Sequence, residues 1–251
     1  MTEFDVDRYL ARIGITDRPP ADVASLDLLQ QAHLRTVPFE NVDVFNGVPV
    51  TTEVASSYSK IVERGRGGWC FELNGAFGAL LIELGFDVAY LGAAVLFNGP
   101  AVVIDHVTLE VNVDRPYLVD VGFGDSFITP LDINRAGPQD GGSGVFELIP
   151  SPQGTTLTRH DEAGVPVPQY RYKRLAREMP EFEETSQRLQ DDKTTHWHEK
   201  AVATRLLDQG ADRISLTGTT LTRTIEGVRS ETDVGESATG DVLVKEFGIR
   251  Q

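Results

Sequence analysis

Three apolar runs, "VAYLGAAVLF", "AVVIDHVTLEVNV" and "RPYLVDVGFG", follow one another between residues 88 and 124 with only the turn signals "NGP" and "VDRP" between them. Runs of this length, bounded by Gly, Pro, Asn and Asp, read as strands. Connections this short favour antiparallel neighbours, because a parallel pair needs a long crossover. The feature just before them has a different period. "CFELNGAFGALLIELG" repeats apolar residues at Phe71, Phe77, Leu80, Leu81 and Leu84, as a buried helix does, and Gly85 ends it. The chain therefore changes from helix to antiparallel sheet near residue 86.

The flanks extend that division. "FDVDRYLARIGI" places Phe4, Tyr9, Leu10 and Ile13 on one helical face, and "SLDLLQQAHL" follows with Ser25 as a candidate N-cap. Pro38 breaks the pattern. Further short strands are expected at "VFELIP", "TTLTRH" and "QYRYKRL", with a glycine-rich surface loop at Asn134–Gly144. "MPEFEETSQRLQDD" reads as a helix. "AVATRLL", "RISLTGTTLTRTIEG" and "RSETDV" read as antiparallel strands with a turn at "EG", and "GDVLVKEFGI" as a closing helix. The expected class is α+β: an N-terminal helical bundle over 1–86, a central antiparallel β-barrel over 87–178 and a C-terminal α/β lid over 179–251.

Composition excludes several functions. Thirty-eight Asp and Glu against 23 Lys and Arg give a net charge of −15, the opposite of a nucleic-acid or anionic-membrane surface. No run of about 20 apolar residues offers a membrane-spanning helix. A single cysteine cannot form an internal disulfide, which makes the cytoplasm the expected compartment. One cysteine without clustered histidines also argues against a metal site.

That cysteine is Cys70, in "ERGRGGWCFELNGAF". A thiol attacks only as thiolate, a form favoured at helix N-termini and beside imidazolium groups. Gly67 and Gly68 allow a tight turn into the helix that Cys70 opens, and the amides there suit an oxyanion. Read alone, Cys70 could equally be a small buried apolar group. The base is sought among five histidines. His33 reads as a core or surface residue, and His160, His196 and His198 as solvated ones. His106 interrupts an apolar strand, sharing a face with Ile104 and Thr108. Asp120 lies among the apolar residues of the next strand, where a carboxylate is costly unless paired. A hairpin about "NVDRP" brings Asp120 near His106 and leaves the other ring nitrogen for Cys70. Nucleophile, base and orienting acid are then complete.

The pieces "YLARIG", "HLRTVPFENVDV", "RGRGGWCFELNGAF", "DHVTLEV", "YLVDVGFG" and "TPLDI", in this order, resemble the arylamine N-acetyltransferase family. The resemblance is strong over about residues 5–135 and weaker to about 230. It implies a three-part fold and a ping-pong reaction. Acetyl-CoA, a substrate rather than a resident cofactor, acetylates Cys70. An arylamine, arylhydrazine or N-arylhydroxylamine then takes the acetyl group. It places the base at His106 and the orienting acid at Asp120. It puts Phe39, Val95, Phe97 and Phe123 against the acceptor, and Asp105, Gly122 and Gly124 along the CoA path. Arg66, Glu40 and Asn41 become a polar network that holds the cysteine loop. A monomer or weak homo-oligomer is expected.

Two acids, Asp105 and Asp125, depart from the family pattern and are expected to repel CoA. Only Lys173, Arg174 and Arg177 offer a compensating cluster. A related reading is an amide synthase that takes its acyl chain from a carrier-protein thioester and closes a polyketide macrolactam. A catalytically silent binding protein is the third.

Overall fold

A computed structural model describes residues 4–97 and 103–250. The "NGP" signal and the start of "AVVI" lie outside the described residues. Helix α1 spans Val6–Arg12 and α2 spans Val23–Thr36. The N-cap of α2 is Asp22, whose carboxylate accepts from the Ser25 amide, so Ser25 is not the cap. The helix stops at Thr36, just ahead of Pro38. Strand β1 (Phe39–Glu40), α3 (Val42–Phe45) and α4 (Val54–Tyr58) follow, and α4 continues as a π-helical turn, Ser59–Glu63. Helix α5 spans Cys70–Glu83, and eleven of its fourteen residues are buried, which accounts for its continuous apolar reading.

The next stretch forms one eight-stranded antiparallel sheet. Its strands are β2 (Asp87–Val95), β3 (His106–Asn112), β4 (Pro116–Val119), β5 (Leu131–Asp132), β6 (Gln139–Asp140), β7 (Val145–Ser151), β8 (Gly154–His160) and β9 (Pro166–Arg177). Their order is β5-β4-β3-β2-β9-β8-β7-β6. The two edges meet through one side chain. Gln139 accepts from the Asp132 amide and donates to the Asp132 carbonyl, both at 2.9 Å. The sheet is thus a nearly closed barrel. The expected strand at "AVVI" is shorter than read, for β3 begins only at His106.

The remaining elements build a second sheet and its cover. A 3₁₀ turn, Met179–Phe182, leads into α6 (Glu183–Asp191), and another, His196–His198, follows. Strands β10 (Val202–Leu206), β11 (Arg213–Thr217), β12 (Thr220–Ile225) and β13 (Val228–Asp233) precede α7 (Glu236–Phe247). The run read around "RISLTGTTLTRT" holds two strands, split at Gly218, whose φ is +58°. The "EG" turn is present, with Glu226 and Gly227 both at positive φ, as a two-residue hairpin of type I′ requires. The sheet order is β1-β10-β11-β12-β13, so its first strand comes from residues 39–40 near the other end of the chain. That crossing ties the segment before the cysteine to the C-terminal sheet.

The largest apolar cluster lies between the helices and the β2–β4 face. It includes Trp69, Cys70, Phe71 and Phe77 together with Val107, Leu109 and Val119. No described helix is long and apolar enough to cross a membrane.

Candidate active site

Cys70 is the first residue of α5 and lies 4 % exposed. The first turn of any helix has amides without intrahelical partners. Glu72, three residues after the N-cap, closes one of them by accepting from the Trp69 amide at 3.2 Å. The loop into α5 is tied to β1: Gly68 N–H donates to the Pro38 carbonyl and Glu40 N–H to the Gly68 carbonyl. A Cβ at Gly67 would lie 2.0 Å from the Pro38 oxygen, so only glycine permits this approach.

His106 and Asp120 lie beside it, each 2 % exposed. Asp120 follows β4 rather than standing within it. The last ladder pair is Leu109 with Val119, so Asp120 stands level with Thr108 and reaches His106 diagonally. Its Oδ2 is 2.7 Å from His106 Nε2. Its Oδ1 accepts from Asn74 Nδ2 at 2.9 Å and from the Gly122 amide at 2.8 Å. A carboxylate with these three partners stays charged in the core. The arrangement fixes the ring through Nε2 and leaves Nδ1 uncommitted, with the Cys70 sulfur near enough to raise the His106 pKa. The imidazole is held edge-on by Phe123 at 5.3 Å and beside Tyr170 at 5.1 Å between centroids.

Burial alone would discharge His106, but the Asp120 carboxylate and the Cys70 sulfur outweigh it and raise its pKa to about 10. Burial likewise pushes Asp120 upward, and the imidazolium more than reverses this, so its pKa falls below the ordinary value. Both shifts describe one charged pair.

Cys70 and His106 line a cleft of about 840 Å³, with Asp120 buried behind them. Phe39, Val95, Phe97 and Phe123, expected against the acceptor, all line it. Of the expected CoA residues, Asp105 and Gly122 line it. Gly124 is not among its lining residues, and its open face meets Phe39 and Thr204. At Gly122 the missing side chain makes room for protein. A Cβ there would lie 2.8 Å from Cys70 Cα and 2.7 Å from Asn74 Nδ2.

The two unexpected acids are both engaged. Asp105 Oδ1 accepts from the Val95 amide at 2.8 Å, while its backbone carbonyl lies 3.9 Å from Cys70 Sγ. Asp125 is flanked by Arg159 at 3.3 Å and Arg213 at 3.4 Å and does not line the cleft. Asp125 is thus paired with cations away from the cleft, while the Asp105 carboxyl remains on its wall. The basic cluster at 173–177 offers no compensation. Arg174 pairs with Glu110 and Arg177 with Glu181, away from the cleft.

The supporting network is larger than Arg66, Glu40 and Asn41. Arg66 bonds Glu40 at 2.7 Å and Asp43 at 3.0 Å. Lys60, 3 % exposed, bonds Asp43 at 2.8 Å and Glu72 at 2.9 Å. Glu72 in turn holds the Trp69 amide. Burial disfavours the Lys60 charge, yet Glu72, Glu40 and Asp43 together keep its pKa above the ordinary value. Asn41 stands apart from these ions. Its side chain donates to the Trp197 and Lys200 carbonyls and accepts from the Val202 amide. It clamps the segment that forms the far wall of the cleft.

Sequence reasoning missed Asn74, Lys60, Asp43, Glu72, Arg188 and His196. Glu72 carried a usable signal, an acid three residues past the N-cap. His196 was read as solvated but lines the cleft, where burial lowers its pKa. His33 is fully buried against the Tyr9 hydroxyl, with its pKa lowered by burial to about 3. Among the described residues no group of three or more potential metal ligands comes together.

The sequence model of a family described as N-acetyltransferase matches residues 22–250, and the chain belongs to that family. An arylamine N-acetyltransferase of Mycolicibacterium smegmatis is 42 % identical over 143 residues, which are 54 % of this chain and 52 % of that one. The chain spans about half the length of the curated relatives it matches. The fold extends further. The M. smegmatis arylamine N-acetyltransferase structure superposes with a TM-score of 0.90 at 29 % identity, covering 98 % of this chain and 92 % of that one. The Mycobacterium marinum arylamine N-acetyltransferase in complex with CoA also gives 0.90 at 29 % identity, covering 98 % and 93 %.

Proposed function

We propose that this protein is an arylamine N-acetyltransferase that carries the acetyl group on Cys70. The observation that supports this most is the buried His106–Asp120 pair, joined at 2.7 Å, whose imidazole lines one cleft together with a thiol that opens a helix. Family membership and the relative bound to CoA point the same way.

The chemistry follows from the geometry. The thiol's proton resides on His106, whose imidazolium Asp120 stabilises. The sulfur attacks the thioester carbonyl carbon of acetyl-CoA, forming a C–Sγ bond. Amides of the first turn of α5 face the developing oxyanion. The bond to CoA sulfur breaks, and CoA departs with the proton from His106. An arylamine nitrogen then attacks the acetyl carbon, gives its proton to His106, and releases the Cys70 sulfur as the C–Sγ bond breaks. Phe39, Val95 and Phe123 form an apolar wall for the aromatic ring and keep water from the acyl group. The neutral wall fits an uncharged amine, the form that can attack. A cytoplasmic setting suits an enzyme whose only cysteine must stay a reduced thiol.

Initial rates test the reading. Varying acetyl-CoA at several fixed arylamine concentrations should give parallel double-reciprocal lines, and Cys70→Ala should abolish turnover. Intersecting lines, or undiminished activity in Cys70→Ala, would contradict it.

A further inference from the structure

Arg188 projects from α6 into the same cleft as Cys70. It is the one Lys or Arg among the described residues lining that cleft. Its surroundings leave the charge available. No described carboxylate lies within salt-bridge distance of it, whereas Arg66, Arg159, Arg174, Arg177 and Arg213 each have one. Its single described hydrogen bond is a long one, 3.5 Å from Nη2 to the Ile104 carbonyl. That carbonyl belongs to the residue before Asp105, whose own carbonyl touches the Cys70 sulfur. The guanidinium therefore sits over the strand entry that carries the base. Asp105 and Asp192 influence it from a distance, and Glu199 lines the same cleft and Glu183, Glu184 and Asp191 an adjoining groove, but none of these carboxylates is within salt-bridge reach of it.

A structural role does not explain this placement. Structural arginines in this protein are bound by carboxylates or by several carbonyls, as Arg12 is by Ile61, Thr36 and Gly65. A solvated surface arginine would not need to face the cleft. In a chain of net charge −15, an anionic ligand approaches against the mean field, so one unpaired guanidinium at the mouth has a large local effect. A guanidinium also offers paired donors to planar carboxylate or phosphate oxygens.

We propose that Arg188 recognises an anionic group on the substrate, either the phosphates of the acyl donor or a carboxylate on the acceptor. This rests on the acyl-transfer reading above and adds the substrate chemistry to it. Arg188 is a specificity-determining residue: it touches substrate but transfers no proton.

The two half-reactions separate the sources. In the first, acylation of Cys70 by acetyl-CoA is compared with acylation by S-acetyl-N-acetylcysteamine, an uncharged thioester. In the second, the acyl-enzyme is discharged by 4-aminobenzoate or by aniline. Arg188→Ala should lose about tenfold with the charged member of one pair and keep the neutral member's rate. Arg188→Lys should recover part of the loss, and added salt should shrink it. A loss confined to acetyl-CoA assigns the donor, and a loss confined to aminobenzoate assigns the acceptor. Equal losses with charged and neutral reagents, or no loss with any, would overturn the proposal. Binding of CoA against pantetheine, and of aminobenzoate against aniline, followed by quenching of Trp197 in the cleft wall, reads the same contrast without turnover. An enzyme that binds CoA in an Arg188-dependent way but never acylates Cys70 would refute the acyl-transfer reading while keeping this one. Binding of every anion that is indifferent to Arg188 would refute this one alone.

Discussion

Asn74 stands one helical turn beyond Cys70, and its side-chain amide fastens the helix that Cys70 opens to the segments that carry His106 and Asp120. Nδ2 donates to Asp120 Oδ1 at 2.9 Å and to the Val107 carbonyl at 2.7 Å, and Oδ1 accepts from the Val121 amide at 2.9 Å. All these groups are buried, and no water is needed to satisfy them.

Asn74→Ala removes three hydrogen bonds, one of them to the charged Asp120. A bond to a charged group contributes about 1.5–3 kcal/mol, so turnover should fall about ten- to a hundredfold. Asn74→Asp should fall further, because a second carboxylate would face Asp120 Oδ1. The loss should appear in kcat with little change in KM, since Asn74 does not line the cleft. A change confined to KM would contradict the role.

Lys60 holds the cysteine loop from below, through Glu72 and the Trp69 amide. Lys60→Met leaves Glu72 buried without its cation, at a cost of about 3–5 kcal/mol. Urea midpoints should register that loss. Lys60→Met combined with Glu72→Gln should recover much of it, for the stranded charge is then gone. An equal loss in single and double variants would show that packing, not charge, dominates there.

The His106–Asp120 pair makes stability depend on pH in a definite direction. Burial resists the imidazolium, but Asp120 and Cys70 lift its folded-state pKa to about 10, above the ordinary 6.5. Above pH 6.5 the unfolded chain has released a proton that the folded protein retains. The pair's contribution is therefore complete below about pH 6.5 and declines as pH rises toward 10. Unfolding free energy of the wild type should fall across this window more steeply than that of His106→Gln. Parallel profiles would mean that the pair is not charged in the folded state.

Much of the site was legible because its signals are local. The glycines before Cys70, the helical period after it, and the polar interruptions at His106 and Asp120 each stand within a few residues of one another. The alternation that paired the β3 and β4 residues was correct in spirit, but the register places Asp120 a step past the strand. Only a folded hairpin reveals that His106 meets it on the diagonal. The ion cluster was hidden for a different reason. Lys60, Asp43 and Glu72 come from three elements, and a lysine in a helical stretch gives no sign of whether it faces solvent or core. Asn41 was grouped with Glu40 by adjacency, yet successive residues at a strand end point apart, and it serves the 197–202 segment instead. Arg188 and His196 looked like ordinary polar surface because the cleft wall they form closes against residues over 60 positions earlier.

The most direct test of the account is the mass of the protein after exposure to acetyl-CoA alone, followed by peptide mapping. The account predicts one acetyl group, on the peptide containing Cys70, absent in Cys70→Ala and discharged stoichiometrically onto an added arylamine. An acetyl group on any other residue, or amine acetylation that proceeds equally without Cys70, would contradict it.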